Sequence, residues 1–219
     1  MSAALYRKWG KWLERIRVEQ LRGLLSHRYV FTQMNECARP YVGTRHGAEL
    51  HRWMTDNYVA FAATAIRRMM EKHTTRWNSI SLRILLDDMA DNDAVLTRKR
   101  HRSLYKGPTV EVADEHFNEL VRSNSARYFS ASRIRPDIRV LEEVCRPIKR
   151  LVDKVIAHTE ADRRRVGRVR FEQLDRAVDA LELTFRRYDQ LVRGSTVTPS
   201  LPPGYFDVRD DFLELWPAK

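Results

Sequence analysis

Residues 136–160 read PDIRVLEEVCRPIKRLVDKVIAHTE, and the spacing of their apolar side chains decides the fold class. Ile138, Leu141, Val144, Ile148, Leu151, Val152, Val155 and Ile156 recur mostly at three- and four-residue steps, as one helix face turned toward a core requires. Charged residues fill much of the rest. Pro136 suits the first turn of this helix, where a missing N–H costs nothing. Pro147, inside the pattern, predicts a kink or a break into two helices.

The same period holds on either side. Leu5, Trp9, Trp12, Ile16, Leu21, Leu24 and Leu25 form an apolar stripe with Arg and Lys between them, and Pro40 and Gly43 end that stretch after Cys37. A second helix is predicted over about 47–72, through YVAFAATAI at 58–66, whose alanines permit close packing. Asn78 or Ser79 can cap a short third helix, SLRILLDDM, that ends near Asp91 and Asn92. Residues 93–111 are polar and basic around Gly107-Pro108 and read as a loop. A short helix follows over 113–121. The last helix spans 171–193, with Leu174, Val178, Leu181, Phe185, Tyr188 and Leu191 on one face and Gly194 as its stop. No strand period is convincing anywhere. The expectation is an all-α bundle of five to seven helices over 1–195. A Pro-rich aromatic arm over 196–219, carrying Tyr205, Phe206, Phe212 and Trp216, would pack on the bundle or on a neighbouring subunit.

Composition bounds the function classes. The 219 residues hold 40 Lys and Arg against 29 Asp and Glu, a formal charge of +11, with 43% hydrophobic residues. That is enough apolar content for a core and too much for a wholly disordered chain. No apolar stretch approaches the ~20 residues of a membrane span, and no secretory leader pattern is present. Two cysteines, Cys37 and Cys145, make no disulfide framework, so a reducing cytoplasmic setting is expected. The positive excess calls for a polyanionic partner, nucleic acid being the commonest. It concentrates in TRKRHRSLYK at 97–106, with Arg98, Lys99, Arg100 and Arg102, and in RRRVGRVR at 163–170, with Arg163, Arg164, Arg165, Arg168 and Arg170. Each run is either a solvated face or a phosphate contact.

Several chemistries find no support. There is no Gly-rich phosphate loop, and His46 and His51 with Glu49 do not form a metal motif, so no metal or cofactor is expected. Cys37 and Cys145 read as small core residues. Asp87, Asp88, Asp91 and Asp93 read as the solvated end of a helix. One segment stands apart: KRLVDKVIAHTE at 149–160, where an amphipathic helix runs into His158. Lys154, four residues before His158, would share its helix face. An imidazole moves protons near neutral pH and an adjacent cation steadies a phosphate, so the pair suits phosphodiester chemistry. The plainer reading is a histidine complementing a helix dipole.

The stretch DKVIAHTE, within this helical plan, resembles the HEPN superfamily, in particular its abortive-infection branch. There an Arg-Asp/Asn-Lys-x-x-Ala-His-x-Asp/Glu segment follows a long helix. Arg76, Ser79, Ser81, Leu82, Leu85 and Leu86 are similar to the family's basic turn and Ser-x-Ser-Leu segment. The resemblance implies a dimeric helical bundle that cuts RNA without metal, in phage defence or as a toxin with an antitoxin partner, tRNA being one candidate substrate. His158 matches the motif histidine, Asp153 the polar residue after Arg, and Ala157 the small residue before His. Val152 stands where the family has Arg. Arg150, brought round by a register change near Pro147, or Lys154 would then hold the phosphate. A bundle that binds RNA or a partner protein without cutting is the alternative that Val152 favours.

Overall fold

A computed structural model describes residues 2–74, 79–156, 169–194 and 210. Its helices are α1 (Ser2–Ile16), α2 (Arg22–Ala38), α3 (Arg45–Met69), α4 (Leu82–Asp91), α5 (Arg98–Arg102), α6 (Ala113–Val121), α7 (Ala131–Leu151) and α8 (Phe171–Arg193). A π turn, Arg17–Leu21, joins α1 to α2, and a second, Val152–Ile156, extends α7. Because α1 and α2 run on as one rod, the eight helices of the described residues form seven rods. The all-α expectation holds, and no strand occurs among the described residues. Nor is any described helix long and apolar enough to cross a membrane.

The first π turn follows from the sequence. The apolar stripe of α1 steps by four from Leu5 to Trp9, but the step from Ile16 to Leu21 is five. A π turn closes i to i+5 and absorbs the extra residue, so Ile16 and Leu21 both reach the core at 0% exposure. The first rod packs on α3, α4 and α8, while α7 lies against α3, α4 and α8. One continuous core results, in which Trp9, Ile66, Leu86, Leu141, Phe185 and Tyr188 are fully buried or nearly so.

Helix starts differ from the sequence reading in instructive ways. Ser81, rather than Asn78 or Ser79, caps α4: its Oγ accepts from Ile84 N at 3.0 Å and donates to Glu71 O at 2.6 Å. Helix α7 begins at Ala131, five residues before Pro136, because Asp93 Oδ2 accepts from Ala131 N at 2.6 Å and satisfies an end group. Both prolines therefore lie inside an unbroken α7. The carbonyls they leave unbonded belong to Ser132 and Glu143, both exposed, where water can serve them. The 93–111 stretch is more than a loop. Thr97 Oγ1 accepts from Arg100 N at 3.2 Å and starts α5, and an isolated bridge pairs Thr97 with Tyr128. Helix α6 and helix α8 stand where the sequence places them. Gly194 closes α8 at φ 64°, a left-handed position that suits glycine. Gly47 is needed for a different reason: a Cβ there would sit 2.0 Å from Tyr41 O.

The acidic cluster also changes character, since each of its members has a partner rather than only solvent. Asp87 pairs with Arg83, Asp88 with Lys8 and Trp9, and Asp91 with Arg135. Asp93 holds the start of α7. The arm over 196–219 lies outside the described residues except for Asp210, as does Arg76.

Candidate functional site at the ends of α3 and α7

Helix α3 ends in two arginines and is followed by a lysine, a placement that complements the negative end of a helix dipole. The two π turns flank that end. Arg67 Nε donates to Asp153 Oδ1 of the second π turn at 2.7 Å. Arg68 lines a small polar cleft with Arg15, Glu19, Gln20, Glu71, Ser79 and Ile80, the Glu19 side belonging to the first π turn. Lys72 Nζ meets Glu142 Oε1 of α7 at 2.8 Å, and Arg83, largely buried, reaches the same oxygen at 3.3 Å. The hydrogen bond from Lys72, with Arg83 nearby, holds the Glu142 carboxyl below its ordinary range.

Asp153 and Arg67 are part-exposed, with 37% and 41% of their side chains open. Val152, immediately before Asp153, is 4% exposed and belongs to the core. Arg150 and Lys149 lie on the solvent face of α7, and Lys154 is also exposed. The change of helical register falls at 152–156, after Arg150 rather than near Pro147, so it does not rotate Arg150 toward Asp153. It does remove the α-helical basis for setting Lys154 and His158 on one face, because a π turn spaces its residues differently. His158, Arg163, Arg164, Arg165 and Arg168 lie outside the described residues.

The described residues of the two basic runs do not converge. Arg170 precedes α8 at one end, with its backbone N donating to Gln173 Oε1 at 2.9 Å. Helix α5 packs at the other end, where His101 Nδ1 lies 3.2 Å from Leu191 O. About 30 Å of helix separates Arg170 from Leu191 at 1.5 Å per residue. Within α5 the roles split. Lys99, Arg100 and Arg102 are exposed. Arg98 turns inward, donating to Asn118 Oδ1 at 2.6 Å and to Ala126 O at 3.1 Å, with its guanidinium 4.8 Å from the Phe117 ring centre.

Two further features were not legible in the sequence. A groove of about 470 Å³ between α2 and α3 is lined by aromatic and sulfur-bearing residues. There His27 stacks on Phe61 with ring centres 3.7 Å apart, and Phe31 stacks on Tyr58 at 4.1 Å. The second is the pairing of Arg67 with Asp153, which joins positions 86 residues apart. The only sequence signal for it was a pair of arginines at a helix end. Cys145, by contrast, stays what it appeared to be. Burial pushes its thiol up to about 12, so it holds its proton at neutral pH, as a small core residue does. No three His, Cys, Asp or Glu side chains among the described residues are grouped so as to hold a metal ion. Set against protein-family models, curated proteins and solved structures, the chain matches none of them.

Proposed function

We propose that this protein acts on RNA at the C-terminal end of α7, as a metal-independent endoribonuclease of the phage-defence or toxin kind. The observation that carries the reading is the DKVIAHTE segment. Its Asp153 is part-exposed beside a guanidinium instead of being absorbed into the core. The charge of +11 supports a polyanionic substrate.

In this chemistry the ribose 2′-oxygen attacks the adjacent phosphorus as the bond to the 5′-oxygen breaks. The 2′-hydroxyl proton leaves to a base and a proton returns to the departing 5′-oxygen. His158 serves as that acid–base group. No electrons enter or leave, and the products are a 2′,3′-cyclic phosphate and a 5′-hydroxyl. The same resemblance carries a homodimer and an antitoxin partner into the proposal.

The test is incubation of the purified protein with total RNA and with a tRNA pool, in chelator, beside His158→Ala. Fragments ending in cyclic phosphate, from wild type only, are the expected result. Equal fragments from both proteins would remove His158 from the site. One observation favours a second reading. The motif position for Arg is filled by Val152, which is 4% exposed. A bundle that binds RNA or a partner protein without cutting it would give salt-sensitive binding and no fragments.

A further inference from the structure

A carboxylate such as Asp153 is by itself a poor neighbour for a phosphodiester, since like charges repel. Arg67 neutralises that charge. Its bond to Asp153 uses Nε at 2.7 Å, whereas a guanidinium carries five N–H donors in a planar fork. Holding Nε restrains the planar fork and narrows the directions open to its two terminal nitrogens. With 41% of the Arg67 side chain and 37% of the Asp153 side chain exposed, the pair contributes little to stability. Positioning explains it better. Two further cations stand nearby and are exposed, Lys154 next to Asp153 and Arg68 next in α3, the latter sharing its cleft with Glu19 and Glu71. Val152, buried in the core, presents no cation here.

We infer that Arg67 is the phosphate-binding residue of this protein, reaching the site from α3 rather than from the segment that carries Asp153. The inference rests on the RNA-cleavage reading. Nε stays on Asp153 while the terminal nitrogens take the two non-bridging oxygens of the scissile phosphodiester, a bidentate match that suits Arg. As the bond from the 2′-oxygen to phosphorus forms and that to the 5′-oxygen breaks, charge builds on those two oxygens, and the guanidinium offsets it. Arg67 gives up no proton and is unchanged at the end. Asp153 is a positioning residue that acts through Arg67.

The test is single-turnover cleavage of an end-labelled RNA by wild type, Arg67→Ala, Arg67→Lys, Asp153→Asn and His158→Ala, together with RNA binding across a salt series. Arg67→Ala is expected to cut about 10²–10³-fold more slowly, the usual loss for one charge-stabilising donor. Arg67→Lys, a point charge without the fork, should recover only part of the rate. Free guanidinium ion should restore part of the activity of Arg67→Ala and none to His158→Ala, a rescue that a merely structural role would not show. If Arg67→Ala melts below wild type, Arg67→Gln, which keeps part of the stem and an uncharged N–H donor, carries the same test.

Arg67→Ala cutting at the wild-type rate while His158→Ala is inactive would overturn the inference and leave the cleavage reading standing. No cleavage by wild type would remove the cleavage reading. The binding series then decides, because loss of one phosphate contact lowers the slope of log affinity against log salt by about 0.7 on a single strand. A slope unchanged in Arg67→Ala would overturn Arg67 as a phosphate contact in that case as well.

Discussion

Trp9 Nε1 donates to Asp88 Oδ2 at 2.5 Å, and Lys8 Nζ takes the other oxygen of the same carboxylate at 2.8 Å. One acid of α4 therefore holds two consecutive residues of α1, and the indole it serves is 0% exposed. An indole N–H buried at that depth has no water to fall back on.

Removing the acceptor should consequently cost more than an ordinary surface ion pair. Asp88→Ala is expected to lose about 2 kcal/mol, most of it from the unsatisfied indole rather than from Lys8. Urea unfolding followed by tryptophan fluorescence measures it. Lys8→Ala should stay within about 1 kcal/mol of wild type. Equal losses in the two variants would mean that the indole bond is not the larger contribution.

The basic run over 97–106 should separate into two kinds of arginine. Arg98→Ala breaks the bonds to Asn118 and Ala126 and uncovers the Phe117 face. It is expected to lose about 2–3 kcal/mol. Lys99→Ala and Arg102→Ala should leave stability within about 0.5 kcal/mol and weaken RNA binding, with a shallower salt slope. Calorimetric melting and filter binding on one set of proteins read both effects. A melting temperature unchanged in Arg98→Ala would contradict the inward role.

His101 gives the fold a pH dependence of definite sign. The residue is 0% exposed, and its burial lowers the imidazole pKa below the ordinary value. The Phe117 and Tyr105 rings face it at 5.5 and 5.2 Å; the Leu191 carbonyl and Asp114 favour its charge, His116 and Arg98 disfavour it, and burial outweighs them. The unfolded chain takes up this proton near pH 6.5, the folded chain only at lower pH. Between those points the unfolded state holds more protons, so stability present above about pH 6.5 is lost as pH falls. His101→Gln should flatten that part of the urea-midpoint profile although it lowers the plateau. A profile of unchanged slope would assign the acid sensitivity to other groups.

Gly194 should tolerate no side chain cheaply. Its φ is +64°, and a Cβ there would meet Leu104 Cβ at 3.0 Å. Gly194→Ala is expected to destabilise by about 1–2 kcal/mol through the left-handed backbone. The urea midpoint measures this. Gly10→Ala, on an α1 position whose Cβ would meet nothing within 4 Å, should instead be neutral or stabilising.

What the sequence determined by itself is the helical order. The three- and four-residue apolar steps give the rods, and Gly194 gives the end of α8. The five-residue step from Ile16 to Leu21 even contains the first π turn, although its meaning is clear only once both residues are seen in the core. These features are local, because helix periodicity and end signals act over one or two turns. Val152 belongs with them: the stripe of α7 already puts it inward, which is why it cannot carry a cation. Tertiary packing decided the rest. Asp93 starting α7 ahead of Pro136, Arg98 turning into the protein from a polar run, and Arg67 meeting Asp153 all join residues far apart in the chain. Such pairs depend on how each helix is rotated and where its end falls against a neighbour. Burial of the whole core sets those quantities, and no short stretch of sequence encodes them.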